Sequence, residues 1–402
     1  MENIKIEFIL ENLPFYAVSK KDDKNIFVVN ADDETITVSV SYDYKESPLF
    51  LTCDIKKGDK VSIILYEYRI ELYVNDELKD EEWPFGNRLF SLKDNFATNK
   101  GISVTENTEK EKEIPSVIST FENAEGWRPD GNIFVGDCMP YRKNDEYHVL
   151  YLKDRRHHKS KWGMGAHQWE HISTKDFKTW YVHPMAVPIT ESWEGSICTG
   201  SWIEKDGREY LYYTVRRANG LPAIIKRSVS DDGYHFTKDK DFGFTLSEKF
   251  NGPVARDPKV IKDDKGLYHM FLTTVLVKDN LGCLAHYISN DLEKWQEAES
   301  PIYVHENCDH PECPDYFKYK GKYYLIFSIR GRARYLVSDK PFEDFKMIDD
   351  TLIPCAGVSK CAPWNDKLIF TGFKPIDGYA GTMTFKAATS DLNGKLIFED
   401  LK

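Results

Sequence analysis

The strongest constraint on this chain is an internal repeat. Five times, a polar turn leads into an aromatic-rich run: DEYHVLYL (145–152), REYLYYTV (208–215), GLYHMFLTT (266–274), GKYYLIFSI (321–329) and DKLIFTGF (366–373). Each run is trailed by a serine with an aspartate close behind: ISTKDFKTW (172–180), VSDDGYHF (229–236), ISNDLEKW (288–295), VSDKPFEDF (337–345) and TSDLNGKL (389–396). The serines at 173, 230, 289, 338 and 390 are spaced by 57, 59, 49 and 52 residues. Two coupled signatures at such a period imply several strands per repeat, arranged radially. The expectation is an all-β chain whose residues 116–402 form a five-bladed β-propeller.

Residues 1–115 lack this repeat and read as an antiparallel β-sandwich. Ile36–Val38–Val40, Val61–Ile63–Leu65 and Ile70–Leu72–Val74 alternate with period two, and Gly58–Asp59 and Asn75–Asp76 punctuate them. The stretch LYVNDELKDEEWPFG (72–86) resembles a hairpin of jelly-roll or laminin-G-like sandwiches. The charged run TENTEKEKEIPS (105–116) reads as the connection between the two parts.

In a propeller the strand preceding each aromatic run lines the axis, so residues distant in sequence converge there. Three repeats carry an acid on that strand: Asp137 in VGDCMPY, Asp257 in ARDPKV and Glu312 in PECPDYF. The corresponding stretches CTGSW (198–202) and CAPW (361–364) carry none. Three carboxylates around one axis suit glycosidic cleavage. One protonates the leaving oxygen, another attacks or activates water, and the third holds sugar hydroxyls. Crowded like charges raise the proton affinity of one of them, as a general acid requires.

Around these acids lie further candidates for substrate contact. Arg155, in the basic run Arg155–Arg156–His157–His158, could clamp hydroxyls or an anionic group. Trp162, Trp169 and Trp193 are candidate stacking platforms, with core packing as the competing reading. His167 and His171 alternate with Trp169, and Glu191 and Glu194 in TESWEGS stand just before the second repeat.

The order Asp137, then RDP (256–258), then EC (312–313) resembles glycoside hydrolase family 32, the fructosidases. The likeness extends through GAHQWEHISTKDFKTW (165–180) and GSICTGS (195–201), over roughly residues 126–400. It implies Asp137 as nucleophile, Asp257 as transition-state stabiliser, Glu312 as acid/base and Arg256 as a binder of fructosyl hydroxyls. It also implies a retaining exo-glycosidase for a β-fructofuranoside that needs no metal or organic cofactor. The chain departs from the family's first motif, W-M-N-D-P-N-G, which here reads F-V-G-D-C-M-P (134–140), and its sandwich precedes the propeller.

Composition sets outer limits. Lys+Arg 54 against Asp+Glu 65 gives a net charge of −11, which argues against a nucleic-acid partner. No run approaches the roughly 18 apolar residues of a membrane span. The N-terminus MENIKIEFILENLPFY has no leader pattern, and eight cysteines are too sparse for a disulfide scaffold, so a cytoplasmic enzyme for a small oligosaccharide is expected. Cys308 and Cys313 lack the second half of a zinc site. Two other readings stand beside this one: an inverting family-43-like arabinofuranosidase, and a non-catalytic glycan-binding protein.

Overall fold

The structure, a computed structural model, describes residues 2–44, 48–97, 101–108, 119–129, 133–154, 167–217, 220–348, 351–355 and 357–401. Their regular elements are strands, with one short 3-10 turn at Gly252–Val254, so the chain is all-β as expected. No helix among the described residues is long and apolar enough to cross a membrane. The chain divides into two compact units. One holds the described residues up to 108 together with Ile189–Gly195, and the other holds the rest.

The first unit contains two antiparallel sheets. One runs in the order Glu77–Glu82, Ile70–Val74, Lys60–Leu65, Ile4–Ile9, Ser103–Glu106; the other is Phe15–Lys21, Lys24–Ala31, Thr35–Val40, Leu49–Asp54. The alternating residues seen in the sequence supply its core: Ile36, Val38, Val40, Val61, Ile63, Leu65, Ile70, Leu72 and Val74 are all buried. Asn75 and Asp76 turn the Ile70–Val74 hairpin with φ of 51° and 63°, the pair of left-handed residues a type I′ turn requires. One boundary needs correction. Thr105 and Glu106, expected in the connection, belong to a strand and pair with Lys5 and Ile4. Val104 turns toward the core while Ser103, Thr105 and Glu106 are exposed, which hides the strand within a polar run. Residues 109–118 lie outside the described residues.

In the second unit the described residues form five antiparallel meanders. Their first strands are Phe134–Lys143, Ser196–Lys205, Arg256–Lys262, Glu312–Tyr319 and Lys360–Trp364. Their second strands are the aromatic runs: Glu146–Asp154, Arg208–Arg216, Tyr268–Leu276, Lys322–Ile329 and Lys367–Pro375. Each first strand lies against the next one, and the fifth lies against the first, closing a ring. The first and fifth meanders are also joined by a backbone pairing of Val135 with Gly381.

The serine–aspartate signature is a turn device. Ser230 Oγ accepts the N–H groups of Asp232 (3.3 Å) and Gly233 (2.9 Å), while Asp232 Oδ1 accepts those of Tyr234 and His235 at 2.8 Å. Ser289 and Asp291 repeat the arrangement, and Asp176 accepts the N–H groups of Lys178 and Thr179. In the first repeat Thr174 Oγ1, not Ser173, accepts the matching N–H groups, and these short polar side chains satisfy the backbone as it leaves Gln168–Thr174, Ile224–Ser230 and Leu281–Ser289. These donors favour the charged carboxylate, so Asp176, Asp232 and Asp291 are held below the usual range.

Candidate active site

Four of the five first strands carry a β-bulge at the same place. The register slips between Val135 and Cys138, Ile197 and Gly200, Arg256 and Lys259, and Glu312 and Asp315. A bulge bends its strand and re-aims side chains, and it recurs where strands serve a site. Asp257 and Cys313 both sit in the left-handed region, with φ of 59° and 52°, a costly conformation for residues with a Cβ. The acids therefore do not occupy one repeat-equivalent position, as the sequence pattern suggested. Relative to the bulge, Glu312 stands just before it, Asp257 is its first residue and Asp137 its second.

The contacts bring these acids together. Asp137 is 7% exposed and both its oxygens are held: Oδ1 accepts the Tyr379 hydroxyl at 2.8 Å, and Oδ2 accepts the Thr199 hydroxyl at 2.6 Å. Cys313 Sγ lies 3.3 Å from Asp137 Oδ2 and 3.4 Å from Asp257 Oδ2, so one thiol bridges the two carboxylates. Its backbone N–H also donates to Asp257 Oδ2, at 3.1 Å. Arg256 Nη2 donates to Glu312 Oε1 at 2.8 Å and to His310 Nδ1 at 2.9 Å, and its Nε lies 3.6 Å from Asp257 Oδ2. The Glu312 side chain is 36% exposed, far more open than the buried aspartates.

Electrostatics follow from burial and crowding. Burial, with the charges of Asp137 and Glu312 added and Arg256 opposing, pushes the Asp257 carboxyl up to about 6. Burial works against the Arg256 charge, but Asp257 and Glu312 outweigh it and hold the guanidinium above its ordinary value. Burial and the two aspartates push the Cys313 thiol far up, so it stays protonated and serves as a donor. The cluster combines two buried acids, a more exposed third and one guanidinium. Among the described residues no group of three or more His, Cys, Asp or Glu side chains could hold a metal ion.

The other candidates fall in different places. His167 is buried, donates from Nε2 to Asp154 Oδ1 at 2.8 Å, and sits with its ring 5.4 Å from that of Tyr379. Trp169 requires a correction. It is fully buried, its indole N–H donates to the Cys198 carbonyl, and it packs edge-on against Tyr213, so it offers no face for stacking. His171 is buried against His148 and Tyr141, in the body of the meander. Glu194 belongs to the other compact unit, where its Oε2 accepts the N–H groups of Thr190 and Glu191. Trp193 is exposed. Arg155 and Trp162, with Arg156, His157 and His158, lie outside the described residues.

Three contributors escaped the sequence reading: Thr199, Tyr379 and Lys360. Thr199 lies in the second repeat at the register position of Asp137, in a stretch passed over because it holds no acid. Lys360 is fully buried, and its ammonium donates to the Gly200 carbonyl at 3.0 Å. Tyr379 lies beyond the fifth second strand, where no repeat signature points to it.

The glycosyl hydrolases family 32 N-terminal domain matches residues 121–350. Sucrose-6-phosphate hydrolase of Escherichia coli is 24% identical over 312 residues, covering 68% of this chain and 61% of that protein. Sucrose-6-phosphate hydrolase of Bacillus subtilis (strain 168) is 31% identical over 204 residues, covering 47% of this chain and 41% of that protein. The chain thus spans less than two thirds of the length of either relative. Among solved structures, fructan 1-exohydrolase IIa from Cichorium intybus superimposes with a TM-score of 0.57 at 18% identity, covering 73% of this chain and 62% of that one. That likeness speaks for the shared fold. The family match spans more than half of the chain and includes Asp137, Asp257 and Glu312, and on it the chain belongs to glycosyl hydrolase family 32.

Proposed function

We propose that this chain is a retaining β-fructofuranosidase acting on sucrose-like substrates or short oligofructosides, with its chemistry in residues 116–402. The observation that supports this most is the joining of Asp137 to Asp257 through Cys313, with Glu312 tied to the same cluster by Arg256. A glycan-binding protein has no need of buried carboxylates gathered at such a cost in desolvation.

Asp137 attacks the anomeric carbon of the fructosyl unit while Glu312 passes its proton to the departing oxygen. The product is a fructosyl ester on Asp137 and a free alcohol. Glu312, now a carboxylate, takes a proton from water, and the resulting attack frees fructose and restores Asp137. Its greater exposure suits a group that must exchange protons with both leaving group and water. Asp257 faces the ring hydroxyls and stabilises the positive charge that grows at the anomeric centre. Arg256 orients Glu312 and holds the substrate.

The test is turnover of sucrose, sucrose 6-phosphate, 1-kestose, inulin, levan and aryl arabinofuranosides by the wild type, Asp137→Asn and Glu312→Gln. Turnover of a fructoside is expected to fall by about 10³-fold or more in both variants. Equal turnover in wild type and variants would sink the assignment. Turnover of the arabinofuranosides alone would replace it.

A further inference from the structure

We infer that Tyr379 is a positioning residue for Asp137, and that it takes the place left by the asparagine of the family's first motif. The inference rests on the proposed role of Asp137 as nucleophile. In W-M-N-D-P-N-G the residue before the aspartate is asparagine, and here it is Gly136. A Cβ on Gly136 would lie 2.8 Å from the Tyr379 hydroxyl, so the missing side chain is what lets that hydroxyl reach Asp137.

The hydroxyl is held at both ends by one residue. The backbone N–H of Asp137 donates to Tyr379 Oη at 3.3 Å, and Tyr379 Oη–H donates to Asp137 Oδ1 at 2.8 Å. Because the oxygen already accepts from the N–H, its own proton is directed to the carboxylate. Burial, with the Asp137 charge added, pushes the phenol far above its ordinary value, so the donor is present throughout the working range of such an enzyme.

The segment presenting Tyr379 is tightly folded. Asp377 and Ala380 have φ of 52° and 66°, Gly378 has 145°, and Ile376 N–H closes the loop onto the Ala380 carbonyl at 3.0 Å. Strained backbone in a short connection is kept where the surrounding structure holds one side chain in a required place. The ring is seated against Phe373, with centroids 5.3 Å apart, and near His167. Gly381 pairs with Val135, two residues before Asp137.

Thr199 holds Oδ2 while Tyr379 holds Oδ1, and together they fix the rotation of the carboxylate. Among the described residues, the titratable groups that act on Asp137 include Asp257, Cys138, Cys198, Cys313 and Tyr379 itself, and the His167–Asp154 pair lies beside the Tyr379 ring.

The test is Tyr379→Phe, which keeps the ring and removes the donor. Its kcat on a fructoside is expected to drop roughly 10- to 100-fold with KM within about threefold, the size of a lost hydrogen bond to a charged group. Gly136→Ala keeps the phenol but crowds its oxygen, and it is expected to lower kcat in the same way, with little added effect in the double variant. Asp137→Asn serves as the control for the parent reading. If the wild type turns over fructosides and Asp137→Asn does not, an unchanged kcat in Tyr379→Phe overturns this inference alone. So does a raised KM at constant kcat, which would make Tyr379 a substrate contact. A wild type inactive on every fructoside removes the parent reading and this inference together.

Discussion

Replacing Asp257 by Asn should make the protein more stable while disabling it. The Asp257 carboxyl is buried, lies near Asp137 and Glu312, and is pushed from 3.8 to about 6. A difference of roughly two units, at about 1.4 kcal/mol each, means that ionising it in the folded protein costs about 3 kcal/mol more than in the unfolded chain. Below about pH 4 the group is protonated in both states and costs nothing. Between about pH 4 and 6 the unfolded chain ionises first, so stability falls as pH rises. Above about pH 6 the full cost is present. Asparagine carries no charge, its Oδ1 can still accept the Cys313 N–H, and its amide can donate to the neighbouring carboxylates. Denaturation of wild type and Asp257→Asn at steps from pH 4 to 8 should show stability curves that nearly meet at pH 4 and diverge by up to about 3 kcal/mol at pH 8, the variant higher. Turnover by the variant should fall on the order of 10²-fold or more, since a preorganised charge at the reacting centre is lost. Curves that stay parallel across this range would refute the argument, because they would show that Asp257 carries no desolvation cost.

Two further substitutions probe the first strand of the second meander. Thr199→Val keeps the side-chain shape but removes the 2.6 Å donation to Asp137, and steady-state kinetics should show kcat lower by roughly tenfold or more. Gly200→Ala would drive a methyl into the Tyr212 carbonyl and against the Trp169 ring, so the denaturation midpoint should fall by the equivalent of several kcal/mol.

What the sequence reveals, and what it hides, follows from how local each cause is. The serine–aspartate turns are legible because each is made by residues two or three apart that satisfy their own backbone. The sandwich strands are legible because one face is buried and the other is not, so Ile36, Val38 and Val40 leave a period of two. Asp137, Asp257 and Glu312 are legible as a set because repeated strands deliver them to one axis. Their offset across the bulge leaves no trace in sequence, because a bulge depends on pairing with the neighbouring strand. Trp169 misled for a related reason: an indole reads the same whether it faces a sugar or Tyr213. Thr199 could have been found by asking which residue types can hydrogen-bond a carboxylate, rather than which are acidic. Tyr379 could not, since its only link to Asp137 is through space.

That link has a temporal side. Asp137 and Tyr379 are 242 residues apart, so a ribosome finishes the first long before it reaches the second. At ordinary elongation rates the interval is on the order of tens of seconds. During it the early meanders can pair, but the pairing of Val135 with Gly381 and the hydroxyl beside Asp137 are both still to come. The proposed nucleophile is thus completed by a segment that follows all five second strands. A product truncated before residue 376 would retain Asp137, Asp257 and Glu312 and still lack the group that orients the first of them. On the proposed reading, full activity therefore depends on the segment that joins the fifth meander to the first.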